Sequence, residues 1–436
     1  MSKNKLGFWS IVLLGINSII GTGIFGLPNK AYAMVGVSSI WVILFDMMLA
    51  VSIALCFAEA SGRFKNNGGP YLYAKEAFGN FFGFEVGLMK WFMSIIAWAS
   101  FAAFFAQRIG ILVPALNNQA GKIIIIVFTL GSLGIVNLLG VKSSKVVNNV
   151  ITIGKLIPLI LFISVGIFFI NGGNFDPSIS NIEVSSGGFV EASVLLFFAF
   201  TGFESIAIAA EDMENPDKNL PKAIAMVMLI VSVVYIAILA ICIGVLGPKL
   251  ATSNAPVADT AEIFLGPIGK SIILGGTLVS IAGINIAASF VTPRVAVALS
   301  ETGVLPDIFA KNNKYGAPYV SIIVTIVLSG LLALSGQFQT LAALSVIVRF
   351  IQYIPTCISV MIFRKRMPNQ KLNFKVPFGN FIPMFATLVS VWLLVKVGIG
   401  TPSKIVFGLG GLVVVAPFYL LMKNNMIAKD KEKSCS

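Results

Sequence analysis

Twelve stretches of this chain are each apolar for about the 20 residues that a helix needs to cross ~30 Å of hydrocarbon. They run approximately over 8–33, 38–61, 82–113, 122–139, 147–170, 189–210, 223–246, 270–297, 318–335, 340–362, 381–399 and 405–422. Lipid offers the backbone no water to bond, so each stretch must close its own hydrogen bonds as a helix. The pattern predicts an all-α polytopic membrane protein, and a composition only 11% charged agrees with it.

The first run starts after seven residues and carries no small-residue cleavage pattern, so it reads as a retained span rather than a signal peptide. An even number of spans puts both termini on one side. Lys3, Lys5, Arg63, Lys65, Lys75, Lys142, Lys145, Lys218, Lys222, Lys311, Lys314, Arg364 to Arg366, Lys371, Lys375, Lys423, Lys429, Lys431 and Lys433 gather there, against little more than Lys122, Lys249 and Lys404 opposite. That bias predicts cytoplasmic termini. It also accounts for most of the net charge of +13. Basic residues dispersed over loops do not make a nucleic-acid surface.

Several chemistries are poorly served. There is no histidine, and Cys56, Cys242, Cys357 and Cys435 form no CxxC pair, so neither a zinc site nor a disulfide framework is expected. "GPIGKS", from Gly266 to Ser271, imitates a phosphate loop, but Phe264 stands where its first glycine belongs. No cofactor, metal or catalytic group is expected.

Two spans carry interruptions. "SIIGTGIFGLP", Ser18 to Pro28, sets Gly21 and Gly23 two apart inside the first run, and the sixth run contains Thr201-Gly202 followed by Glu204. An interrupted helix survives in a bilayer only where protein or a water-filled cavity surrounds it. Close packing through small residues is the alternative use of such glycines. A carboxylate at membrane depth points to a bundle interior or cavity.

These segments resemble a known family. "GTGIFGLP", "NNGGPYLYAKEAFG", "FAFTGFESIAIAAEDMENPDKNLPKAI" and "RVAVALSETGVLPDIFAKNNKYGAPY" occur in the order found in the amino acid-polyamine-organocation superfamily. The resemblance implies a leucine-transporter-like 5+5 inverted repeat with twelve transmembrane helices, of which helices 1 and 6 are broken at the midplane. The repeats would cover 1–170 and 171–363, with two further helices and a tail over 364–436. It further implies that the amides of Thr22, Gly23 and Ile24, beside Gly21, hold a substrate carboxylate. Carbonyls near Ile19, Ile20, Phe198 and Ala199 would hold its ammonium, as the opposite polarities of helix ends allow. Thr201 and Gly202 would line a small pocket, and Phe198 would lid the substrate unless it packs in the core or against lipid.

Lys155 lies about nine residues into the fifth run. In sodium-independent members a lysine in a similar context replaces sodium, donating to helix 1 near Gly15 or Ile16 and to Asn285 and Ser289 on helix 8. The other reading is that it snorkels to the surface. Glu204 would tune a gate, counter a cationic substrate, or be purely structural. Arg349 needs a carboxylate among Asp46, Glu59, Glu85 and Glu204. Ser94 and Trp98 line a pocket, or Trp91 and Trp98 form a lipid-facing stripe. The loop from Glu211 to Ile224 is a cytoplasmic turn.

The function implied is sodium-independent secondary transport of neutral or broad-range amino acids, by proton symport or amino-acid exchange. An antiporter of cationic amino acids or polyamines is the alternative, and a transport-dead sensor or a channel the alternative from another class. Partners are then the amino acid substrate, the bilayer and protons, without nucleic acid; the oligomeric state is unreadable. The location is the plasma membrane, compatible with a bacterial inner membrane.

Overall fold

The computed structural model describes residues 7–64, 69–140, 145–180, 182, 185–204, 206, 213–370, 372 and 374–435. Lys3, Lys5, Lys65, Lys142, Lys371 and the loop residues Glu211 and Asp212 lie outside them. Ten helices among the described residues are long and apolar enough to cross a membrane. The sixth and ninth apolar runs correspond to two shorter apolar helices, Ser186–Phe200 and Tyr319–Ser335. Large side chains such as Phe128, Phe168 and Phe407 point outward. Outward apolar groups are what a helix hydrophobic on all sides presents to lipid.

The chain divides into two compact units that interleave in sequence. The first contains Met1–Asn67, Lys145–Gly283 and Arg364–Gly400. Within it, helix Ser39–Ser61 packs on Ser186–Phe200, Pro216–Leu246 and Phe381–Gly400, and helix Phe8–Ile19 packs on Pro216–Leu246 and Lys145–Gly166. Phe45 of the second apolar run meets Trp392 edge to face at 6.2 Å. Proline sits in the first turn of helices Pro28–Val35 and Pro216–Leu246, where its missing N–H costs no helical bond.

Helix Pro256–Glu301 turns at Gly266, whose φ of 66° is open to glycine. That turn separates a short helix from the apolar run. Lys270, the lysine of the apparent phosphate loop, pairs instead with Glu262 at 2.7 Å and Asp259 at 3.1 Å.

The C-terminal end of helix Ser39–Ser61 carries a buried charge cluster. Glu59 is fully buried and accepts from Arg63 at 2.8 Å, from Arg364 Nε at 2.9 Å and Nη2 at 2.5 Å, and from the Val376 amide at 2.8 Å. Gln370 adds a bond to the Arg63 carbonyl at 2.8 Å. A buried carboxylate is tolerated only when paired and hydrogen-bonded, and here four donors surround it. The cluster ties the segment that follows helix Phe338–Arg366 to the first unit.

The second unit contains Gly68–Ser144, Ile284–Phe363 and Thr401–Ser436. Its core gathers Phe84, Leu88, Trp91, Ile95 and Leu299 with Val415 and Met426 of the last helix, Pro402–Cys435. Trp91 and Trp98 are buried, at 5% and 0% exposed, and Trp91 Nε1 donates to Thr325 Oγ1 at 3.3 Å. A lipid-facing stripe through these two residues is therefore ruled out: the period that aligns them turns them inward. Ser94 donates to the Lys90 carbonyl at 2.9 Å.

Removing the charge at the buried cluster should be costly. Glu59→Gln strands two guanidiniums beside a neutral amide and should destabilise the protein by about 3 kcal/mol, measured as a lower melting temperature in detergent.

Candidate functional site

Both sequence interruptions lie in the first unit, and each follows from local backbone chemistry. Helix Phe8–Ile19 ends where Ile20 turns extended, Gly21 takes φ −142° and ψ −136°, and a new helix starts at Thr22. That second piece, Thr22–Gly26, passes through Leu27 into Pro28–Val35. Helix Ser186–Phe200 ends likewise at an extended Thr201, followed by Gly202 at φ 115°.

The two interruptions approach each other backbone to backbone. A Cβ added to Gly23 would lie 2.6 Å from the Ala199 Cα, and one added to Gly202 would run into the Ser18 carbonyl. Each glycine thus admits the main chain of the opposite helix. The residues expected to act together, Ile19 to Ile24 and Phe198 to Gly202, are brought together, and close packing and interruption are one feature rather than alternatives. Thr22 is buried and its hydroxyl has no partner among the described residues.

The freed carbonyls are not idle. Lys155 is fully buried and its Nζ donates to the Asn17 carbonyl at 2.8 Å and the Ile20 carbonyl at 2.5 Å. Snorkelling is thereby excluded. The acceptors are also corrected: not Gly15 or Ile16 but the last turn beside the interruption, where carbonyls lack helical donors. Ser280 Oγ reaches the Ile20 carbonyl at 3.5 Å. Gly15 serves packing instead, since a Cβ there would meet Ile206 and Val227.

Tyr235, on helix Pro216–Leu246, approaches both interruptions, its hydroxyl 3.1 Å from the Ile19 carbonyl and 3.0 Å from that of Ala199. Sequence reasoning missed it, because a tyrosine among isoleucines and valines carries no motif. The Phe198 carbonyl receives the Thr201 amide at 3.2 Å and the Thr201 hydroxyl at 2.7 Å. Phe198 is itself buried, which removes the lipid-facing reading. Glu204 Oε2 accepts from the Gly202 amide at 3.0 Å, so this carboxylate caps the second interruption.

Asn285 and Ser289 belong to the second unit, and both are buried. Ser289 donates to the Ile286 carbonyl at 2.7 Å and accepts from Asn137 at 3.0 Å. Arg349, in the same unit, hydrogen-bonds the Tyr353 phenol one turn on. Of the carboxylates considered for it, Glu59 is held by Arg63 and Arg364, and Asp46 accepts from Ser193 at 2.5 Å.

Comparison with known proteins identifies the family. Residues 6–417 match the amino acid permease family. The uncharacterized transporter Rv1979c of Mycobacterium tuberculosis (strain ATCC 25618 / H37Rv) is 33% identical over 90% of this chain and 87% of its own length. The branched-chain amino acid permease BcaP of Bacillus subtilis (strain 168) is 28% identical over 94% and 92%. The serine/threonine exchanger SteT of the same organism is 29% identical over 97% of each chain. With the family match spanning nearly its whole length, the chain belongs to the amino acid permease family, as a membrane transporter and not an enzyme.

Proposed function

We propose that the protein is a sodium-independent secondary carrier of neutral amino acids, working by alternating access as a proton symporter or an amino-acid exchanger. The observation that carries the reading is the ammonium of Lys155 seated on the Asn17 and Ile20 carbonyls beside the first interruption. A fixed cation on those oxygens supplies the charge and the donors that a bound sodium ion would otherwise answer, and so makes the ion unnecessary. The amides of Thr22, Gly23 and Ile24 begin a helix and suit a substrate carboxylate. The carbonyls near Ile19, Ile20, Phe198 and Ala199 suit an ammonium, and those of Ile19 and Ala199, which share the Tyr235 hydroxyl, keep lone pairs open for it.

Neutral substrates are favoured for two reasons. Glu204 is engaged with the Gly202 amide, which weakens its case as the counter-charge for a cationic side chain. The relatives BcaP and SteT are named for branched-chain amino acids and for serine and threonine. In this reading the interruptions lie at the midplane of two inverted five-helix repeats, over 1–170 and 171–363. Twelve spans then place both termini in the cytoplasm of a bacterial cell, and Phe198 closes over the substrate. Asn285 and Ser289 take part in coupling.

A thermal-shift screen against the twenty amino acids and common polyamines, followed by counterflow in proteoliposomes, tests the proposal. Neutral amino acids should raise the melting temperature and drive transient accumulation of tracer; silence in both assays would sink it. Uptake at fixed membrane potential should be the same in sodium and in choline buffers. Lys155→Gln should cut uptake at least about tenfold, as expected for losing charge-assisted hydrogen bonds. Gly23→Ala should reduce uptake strongly at a cost in stability of only about 1 to 3 kcal/mol, while the larger Gly23→Leu should not fold at all.

A further inference from the structure

Two guanidiniums share one carboxylate at the C-terminal end of helix Ser39–Ser61. The side chains of Arg63 and Arg364 are only 2% and 18% exposed, and both pair with the buried Glu59. Together with the exposed Lys375 they line a cavity of about 380 Å³, and no acidic side chain among the described residues forms its wall. Glu59 has little left to offer an added cation, since two N–H groups of Arg364, one of Arg63 and the Val376 amide already donate to it.

Both charge and donors are left over. One carboxylate balances one guanidinium, and a second charge held away from water calls for a counter-ion. Arg63 gives Nη2 to Glu59 and reaches Gln370 with Nη1 only at 3.4 Å, while its Nε has no partner among the described residues. Most of its five N–H groups are therefore unspent. Lys375 adds a third cation, and the ion pairs of the cluster do not include it.

The position of the cavity indicates what brings the anion. Helix Ser39–Ser61 completes the second apolar run, and Arg63 stands two residues beyond its end, at the depth of lipid headgroups. Beside the cavity wall, Phe378 is 81% exposed and held at φ 58°, a left-handed angle that a bulky residue adopts only against steric cost. The equally outward Phe381 follows it. Apolar rings presented next to a basic cavity suit a membrane surface rather than water.

We propose that this cavity is a phosphate-binding site filled by the headgroup of an anionic lipid, with Arg63, Arg364 and Lys375 on the phosphate and the acyl chains beside Phe378 and Phe381. Planar guanidiniums offer paired N–H groups to phosphate oxygens, and basic pockets at the ends of membrane spans take such headgroups. The bound phosphate completes the charge balance that Glu59 leaves open. It also fastens the end of helix Ser39–Ser61 to the segment after Arg364. Inorganic phosphate offers the same oxygens without chains, so the two sources can be told apart.

The test is binding to the purified, delipidated protein in detergent at fixed ionic strength, read by native mass spectrometry and melting temperature. The probes are phosphatidylglycerol, phosphatidylcholine and inorganic phosphate. Phosphatidylglycerol should raise Tm and bind more tightly than phosphatidylcholine, whose choline cancels the phosphate charge. Lys375→Gln should leave the Tm of delipidated protein unchanged and weaken phosphatidylglycerol binding about fivefold, the worth of one lysine near an anionic lipid surface. Lys375→Glu should weaken it further, and Lys311→Gln, at an exposed lysine of the second unit, should not change it. If Lys375→Glu does not accumulate as folded protein, Lys375→Gln decides alone. Inorganic phosphate that raises Tm with the same dependence on Lys375, where phosphatidylglycerol does not, supports the phosphate site and replaces the lipid by a soluble ion. A response to phosphatidylglycerol without one to inorganic phosphate supports the lipid. Binding that ignores the Lys375 variants, or that Lys311→Gln weakens equally, overturns the proposal, as does silence with both probes.

Discussion

The first unit depends on a main-chain contact between two interrupted helices. Gly23 rests on Ala199 and Gly202 rests on the Ser18 carbonyl, so each chain enters the space where a side chain on the other would be. Such approach needs glycine on both sides, and at Gly202 the backbone angle asks for glycine a second time. The contact sets the end of one helix against the end of the other. The Ile19 and Ala199 carbonyls at the two helix ends lie close enough to meet one hydroxyl, that of Tyr235.

Released polar groups inside a bilayer protein have to be answered, and the surrounding helices answer them one by one. Lys155 covers the end of the first interrupted helix, Glu204 covers the Gly202 amide, Thr201 folds back on Phe198, and Tyr235 reaches both helices. Replacing Lys155, Glu204 or Tyr235 by an apolar residue of similar size would take a side-chain partner from a backbone group. The apolar runs make the protein a membrane bundle. This short polar inventory gives the bundle a centre.

Much of this was legible in the sequence, but unevenly. The interruptions could be read because glycine inside a long apolar run has few other uses, and Lys155 because its depth is visible by counting. The acceptors of Lys155 were placed a turn too early, since the family resemblance names the facing helix but not the facing turn. Trp91 and Trp98 show the limit of periodicity: a helical period says that two residues share a face, not whether that face meets lipid or protein. Glu59 and Arg63 stand four apart across the end of one helix, a spacing that signals a pair, and Arg364 joins them from far along the chain. Tyr235 left no trace, because a phenol among aliphatic residues is defined only by what the fold brings to it.

The segment after Arg364 bears on what counts as the core of such a carrier. By sequence the last two helices look like an extension to ten others. Yet Phe381–Gly400 packs within the first unit, with Trp392 on Phe45 and Arg364 locked to Glu59, whereas Pro402–Cys435 supplies Val415 and Met426 to the centre of the second. The final pair is thus divided between the two units like two staves of different casks. A ten-helix version of this chain would not be a minimal carrier but two incomplete bodies, each with one wall missing.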